Sequence, residues 1–308
     1  MRAIGVNTTG GPEQLTVLEV PEPEPGPGEL RIAVRAAAVN PTDTVLRAGL
    51  VPTDVEPPYV PGMDAAGVVD AVGDGVELAV GDHVVAVVLP RRPGGGAYAE
   101  KVVVPADSVA RLPEGMDLVE AATLPLNALT ARRALEVLRP PEHGTVAVTG
   151  AAGAVGGYAI QLAVHRGYRV VADAKEADRE LVRSLGADTV LERGPQFPHA
   201  VREAEPGGVD GLLDGAVMGE AVLPAVRDGG VVAVVRPFDG EPVRGIQVYL
   251  VKVPDYLHDG DGLAELVELA RRGVLSLRVA RTYPAEEAAA AHRALEAGGV
   301  RGRLVLTF

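Results

Sequence analysis

The pattern of apolar positions changes character twice along this chain. Up to residue 117 it comes in short runs, at 30–38, 65–72, 83–89 and 99–104, broken by glycine and proline, with the pairs Gly73-Asp74 and Gly81-Asp82 between runs. Runs of that length bounded by turn residues predict strands, and so a compact, barrel-like β domain. From Leu118 the pattern turns helical, through Ala121, Ala122, Leu126, Leu129 and Thr130 into 131–138, where Pro140-Pro141 ends it. Beyond it, mostly apolar runs alternate with helical stretches. Strands are predicted at 145–149, 168–172, 189–191, 211–214, 231–235 and 246–253, and helices at 158–164, 177–185 (capped by Gly186), 220–227 and 262–272. Strands and helices alternating at this spacing predict a parallel, doubly wound sheet. The remainder, 274–308, reads as β-helix-β and is too short to stand alone, so it is expected to return to the first domain. The expected division is 1–121 with 274–308, and 122–273.

The stretch Thr145 to Ala163, TVAVTGAAGAVGGYAIQLA, organises the second half. Its turn, Ala151-Ala152-Gly153-Ala154-Val155-Gly156, is a G-x-G-x-x-G pattern with alanine for the first glycine. A side chain at Gly153 would keep a pyrophosphate from the backbone, and one at Gly156 would hold the helix off its strand. A plain strand-to-helix turn would read the same in isolation. Here a strand precedes it and a second strand follows the helix, the order that dinucleotide binding requires.

Composition narrows the classes. A net charge of −13 argues against a nucleic-acid partner, because phosphate binding needs a basic face. With no cysteine there are no disulfides and no thiolate-held metal. The six histidines, His83, His143, His165, His199, His258 and His292, show no ligand spacing and read as surface or hydrogen-bonded structural residues. No apolar run approaches the ~20 residues of a membrane helix, and the start MRAIGVNTTGG lacks a signal-peptide pattern, so a cytoplasmic location is expected.

Several motifs in fixed order carry a resemblance over essentially the whole chain: Val39-Asn40-Pro41-Thr42-Asp43 with Arg47-Ala48-Gly49, Pro61-Gly62-Met63-Asp64-Ala65-Ala66-Gly67, Ala97-Tyr98-Ala99-Glu100, Leu124 to Ala131, the AAGAVG turn, Ser184 to Asp188, and the tail from Ala291 to Leu306. The chain resembles the zinc-free quinone oxidoreductase (zeta-crystallin-like) branch of the medium-chain dehydrogenase/reductase superfamily. The resemblance implies an α/β fold, a GroES-like β-rich catalytic domain plus a Rossmann domain. It also implies an NADPH-dependent reductase that moves hydride to a quinone or an α,β-unsaturated carbonyl, or else a protein that binds NADPH with little turnover, as a redox sensor or structural protein.

Residue by residue, Asn40, Met63 and Leu126 stand where zinc relatives keep ligands, and none replaces an imidazole or a thiolate. Asn40 becomes the candidate catalytic group, donating a hydrogen bond as oxyanion character develops; capping the turn before Pro41 is its alternative. Val45 and Val51 replace tyrosines that often line the quinone site, and Leu126 and Tyr249 complete the expected substrate pocket. The coenzyme is expected at Asn127, Thr130, Gly153, Ala154, Val155, Gly156, Val235, Phe238 and Arg303. Lys175, Arg179 and Arg193 are expected at its 2′-phosphate, with Ala174 at the discriminating position and the strand alternation turning Asp173 away. The edge of the sixth strand suggests a homodimer.

Overall fold

The structure, a computed structural model, describes residues 1–50, 56–91 and 94–308. Contacts divide it into two units, Met1–Leu126 with Tyr256–Arg272 and Leu277–Phe308, and Asn127–Asp255 with Gly273–Ser276.

In the first unit β1 (Arg2–Gly5) and β2 (Thr16–Glu19) form an antiparallel ribbon. The main sheet starts with β3 (Glu29–Val39). The chain then turns through α1 (Pro41–Arg47) and continues as β4 (Asp64–Val72), β5 (His83–Val87), β6 (Lys101–Pro105) and β7 (Val109–Arg111), followed by α2 (Leu118–Ala121). β3 is the hub, pairing antiparallel with both β4 and β6. Its Leu30, Ile32 and Val34 meet Val69, Val84, Ala86, Val102 and Val104 in one apolar core. Register shifts at Arg31/Ile32 and Val34/Ala36 bend β3, which curls the sheet around that core.

Helix α3 (Pro125–Leu138) leads into the second unit. There follow β8 (Thr145–Thr149), α4 (Ala154–His165), β9 (Arg169–Ala174), α5 (Arg179–Ser184), β10 (Thr189–Glu192), α6 (Phe197–Ala204), β11 (Val209–Asp214), β12 (Val226–Val234) and β13 (Gln247–Leu250). All six strands are parallel, in the order β10-β9-β8-β11-β12-β13. Counted within the unit this is 3-2-1-4-5-6, the order of dinucleotide-binding sheets. The chain ends with α7 (Gly260–Arg271), β14 (Val279–Pro284), α8 (Ala288–Glu296) and β15 (Arg303–Thr307). β15 pairs with β3, so the tail completes the first sheet.

Three expectations change. The helix expected at 220–227 is a 3₁₀ stretch, Gly219–Ala225, with Pro224 inside it, and β12 already begins at Val226. Proline there removes the amide that an α-helix needs. The sixth strand is shorter than 246–253, spanning Gln247–Leu250. Helix α7, expected to close the second unit, belongs to the first. Gly260 at its start lies so near the carbonyl of Asp107 that a Cβ would come within 2.7 Å of that oxygen. An amphipathic stripe shows that a helix is covered on one face without saying by what. Among the described residues no helix is long and apolar enough to cross a membrane.

Candidate active site

The strand order of the second unit reverses between β8 and β11, the place where sheets of this kind bind their ligands. Helix α4 starts there with Gly153 as N-cap and Ala154, Val155 and Gly156 in its first turn. The amides of a helix's first turn lack partners within the helix and mark its positive end, which suits a phosphate. A Cβ built on Gly153 would meet only the Gly150 carbonyl oxygen, at 3.1 Å, so a side chain there would fill space that an anion needs. On Gly156 it would lie 2.4 Å from that same oxygen and 2.8 Å from the Ala151 Cα, so helix and turn pack this closely only with glycine. The strand ends are tied by a pair that the sequence reading missed. Thr149 Oγ1 donates to Asp214 Oδ1 (2.8 Å), both residues being buried. The amides of Ala216 and Gly219 donate in turn to Thr149 Oγ1 (3.1 Å) and Asp214 Oδ2 (2.9 Å). A polar residue ending an otherwise apolar buried strand was the available signal.

Asp173 sits near the end of β9, 1% exposed, with Oδ1 accepting the Ala151 amide at 2.9 Å. It thus faces the glycine turn. Its Oδ2 is buried without a hydrogen-bond partner, and Arg193 Nε stands 3.7 Å away. Burial holds this carboxyl above its usual range, against the pull of the Ala151 and Gly150 amides and of Arg193. Of the expected phosphate contacts, Lys175 and Arg193 are exposed. Arg179 is engaged elsewhere, in an ion pair with Glu176 (2.7 Å) and a hydrogen bond to the Val190 carbonyl (3.2 Å). Asn127 and Thr130 are buried on α3, one turn apart, and Val235 and Phe238 are half-buried beyond β12.

In the first unit the motifs containing Asn40, Asp64, Tyr98 and His292 converge on one buried polar network. Asn40, wholly buried, precedes Pro41 as the N-cap of α1, and the carboxylate of Asp43 returns to accept its amide N–H at 2.8 Å. Its side-chain Nδ2 donates to Asp64 Oδ2 (2.6 Å) and lies 3.4 Å from the Ala38 carbonyl. Asn40 therefore directs its donors inward, where the sequence reading expected them to meet a substrate oxygen. The other oxygen of Asp64 accepts the Leu126 amide at 2.6 Å. Asp43 also accepts the Gly62 amide (3.1 Å) and the Tyr98 hydroxyl (3.1 Å).

The direction of the remaining bonds follows from chemistry. A guanidinium only donates, so Arg47, 3.4 Å from His292 Nδ1, makes that nitrogen the acceptor. The ring proton then sits on Nε2, which donates to the Tyr98 hydroxyl (3.2 Å), and that hydroxyl donates to Asp43. Burial lowers His292 to about 3, with Arg47 adding to it, so the ring is neutral. Burial raises Asp43 to about 7, outweighing the amides of Asn40 and Gly62 and the hydroxyl of Tyr98. It raises Asp64 to about 6 despite the Leu126 amide, the Asn40 side chain and the nearby charge of Arg303. Arg303, expected at the coenzyme, is a buried residue of β15 in this unit.

Asn40, Met63 and Leu126, the residues expected where zinc relatives keep ligands, are all buried, and an amide, a thioether and an aliphatic side chain do not make a zinc ligand set. Among the described residues no group of three or more histidine, aspartate or glutamate side chains is placed to hold a metal. Val45 is half-buried on α1, and Val51 lies outside the described residues. Tyr249 lies on the edge strand β13, 43% exposed, its hydroxyl donating to Gln247 at 2.7 Å.

Residues 26–114 match the alcohol dehydrogenase GroES-like domain, and residues 185–306 match a family described as zinc-binding dehydrogenase. A 2-haloacrylate reductase from a Burkholderia species is 32% identical, over 98% of this chain and 97% of that protein. Three solved structures match all of both chains at 32% identity. They are an NAD-dependent alcohol dehydrogenase (TM-score 0.85), a mycobacterial protein complexed with NADPH (0.88) and a mycobacterial quinone oxidoreductase (0.85). With a GroES-like sheet domain and a Rossmann sheet in the order read above, the chain belongs to the quinone oxidoreductase branch of the medium-chain dehydrogenase/reductase superfamily.

Proposed function

We propose that this protein is an NADPH-dependent reductase acting without a metal on a quinone or, preferably, an α,β-unsaturated carbonyl compound. What supports the reading is the glycine turn at the start of α4 in a parallel sheet ordered 3-2-1-4-5-6, together with Asn40, Met63 and Leu126 where the resemblance puts the ligands of zinc relatives. The preference for an activated alkene rests on valine at position 45 and on the name of the haloacrylate-reducing relative. The coenzyme, when bound, supplies a hydride to the electrophilic carbon of the substrate.

In this reading the chain's own residues bind and orient. The first turn of α4 holds the pyrophosphate, Gly153 leaving room for it, and the Thr149–Asp214 pair fixes the strand ends at the crevice. Lys175 and Arg193 reach the 2′-phosphate, and Arg179 supports the loop through Glu176 and Val190. Asn40 acts through the loop that it caps, with its amide held by Asp64. Val45 and Leu126 keep the substrate side apolar, and the second proton comes from water.

NADPH oxidation in single turnover with a panel of enones and quinones tests the activity. If no acceptor outpaces solvent, the protein binds the coenzyme without catalysis. Arg193→Ala tests coenzyme choice: NADPH binding weakens about tenfold, the loss of one charge-assisted contact, and NADH binding stays unchanged. Equal weakening of both would make Arg193 a plain surface charge. One observation favours a second coenzyme. Oδ2 of Asp173 accepts no hydrogen bond, Arg193 standing 3.7 Å away, and the ribose 2′-hydroxyl of NADH is a donor. We further propose a cytoplasmic homodimer paired along β13, the outer strand of its sheet. Light scattering that reports a monomer at micromolar concentration overturns it.

A further inference from the structure

Four non-glycine residues among those described have φ in the left-handed region: Arg139, His143, Val217 and Arg244. Val217, at φ 58°, is the β-branched one, and for such a side chain this backbone is a true outlier. Arg244 shows what a structural reason looks like. Its guanidinium bonds the carbonyls of Val226 and Leu223 and pairs with Asp228, so its side chain fixes its own backbone. Val217 does nothing comparable, since its isopropyl group is 57% exposed and has no hydrogen bond to make.

The backbone of Val217 is nonetheless held from both sides. Ala216 N is anchored on Thr149 Oγ1 and Gly219 N on Asp214 Oδ2, and these two anchors bond each other. Met218 beside it packs onto the apolar core of the unit. The strain is therefore imposed by surroundings that over-determine the loop. Glycine, or asparagine, would satisfy the same backbone without strain. Neither a hydrogen bond nor full burial accounts for a valine at this backbone.

Its place suggests the use. The loop leaves the carboxyl end of β11, beside β8, at the point where the strand order reverses. It also touches the glycine turn, for a Cβ on Gly150 would lie 2.9 Å from the Gly215 carbonyl carbon and 3.2 Å from Ala216 N. We infer that Val217 is a wall of the dinucleotide crevice, an apolar contact for the coenzyme that is held in place at the expense of backbone strain. This rests on the dinucleotide reading of the second unit. Strain retained where a ligand docks is the usual exchange of stability for function.

Val217→Asn and Val217→Gly separate the two halves of the inference. Asparagine tolerates this backbone without the unfolded-state entropy that glycine adds. Without coenzyme, Val217→Asn is expected to melt about 2 °C higher than wild type, a shift of the size that relief at one residue gives in a chain of this length. With NADPH, followed by the fluorescence of the bound nicotinamide, both variants are expected to bind at least fivefold more weakly. Wild-type affinity in both variants overturns the inference, as does a coenzyme-free Val217→Asn that melts no higher. If the wild type itself binds neither NADPH nor NADH, the dinucleotide reading falls and takes the inference with it, an outcome distinct from a wild type that binds and variants that bind equally.

Discussion

Asp43 and Asp64 in the first unit and Asp173 in the second are all buried carboxylates, yet they are furnished differently. Both oxygens of Asp43 and both of Asp64 accept hydrogen bonds, from the amides of Asn40, Gly62 and Leu126, the Asn40 side chain and the Tyr98 hydroxyl. Asp173 has one oxygen on the Ala151 amide, while the other accepts no hydrogen bond and meets only Arg193, 3.7 Å away. A buried polar group costs stability unless it is partnered, so a completed network serves the fold. A buried acceptor without a hydrogen bond, facing the glycine turn, is suited to a donor that arrives with a ligand. The contrast separates two acids completed by the fold from one that is not, where sequence shows three aspartates of equal standing.

The largest expected effect breaks the completed network. Asp43→Asn sets an NH₂ group against the donors of Asn40, Gly62 or Tyr98, and leaving such groups unsatisfied is expected to cost about 3 kcal/mol in urea unfolding. A loss below 1 kcal/mol would mean that the network relaxes freely, and the contrast with Asp173 would collapse.

The next effect is on pH. Asp43 and Asp64 have folded pKa values raised to about 7 and about 6, so the stability they contribute is fully present below their unfolded value of 3.8 and is lost as pH rises through 6 to 7. His292, lowered from 6.5 to about 3, acts oppositely, contributing stability that is present above 6.5 and lost as pH falls toward 3. Between pH 5 and 8 the two acids outweigh the histidine, and the protein is expected to be about 2 kcal/mol less stable at pH 8. His292→Gln removes the opposing group and should steepen the decline between pH 5 and 6.5. Urea midpoints across this range decide the matter, and a midpoint that rises with pH would refute the assignment.

The smallest stability effect is expected at Asp173. In Asp173→Asn the carbonyl oxygen keeps the Ala151 amide and the new NH₂ group replaces an oxygen that accepts no hydrogen bond and pairs with the exposed Arg193 only at 3.7 Å. Stability should stay within about 1 kcal/mol of wild type, the scale of a single net hydrogen bond. The effect should appear in binding, with NADH weakened about tenfold. Unchanged NADH affinity would return Asp173 to a purely structural role.

The apolar patterning was sufficient to read the second unit, since strands buried on both faces and separated by helices admit few arrangements other than a parallel doubly wound sheet. The turn at Gly153 and Gly156 was legible for the same reason: its demands are local, a close backbone approach and a tight helix start. The return of 274–308 to the first sheet followed from its shortness. The network around Asn40 was not legible, because Arg47, Asp43, Asp64, Tyr98 and His292 are brought together by pairing between distant segments, and a hydrogen bond's direction depends on which partner faces it. Asn40 shows the limit most plainly. Its position in the motif marked it as polar and near the chemistry, while only the fold decided that its amide points to Asp64. The destination of α7 and the strained backbone of Val217 belong to the same class, since both are set by what packs against a segment rather than by the segment's own pattern.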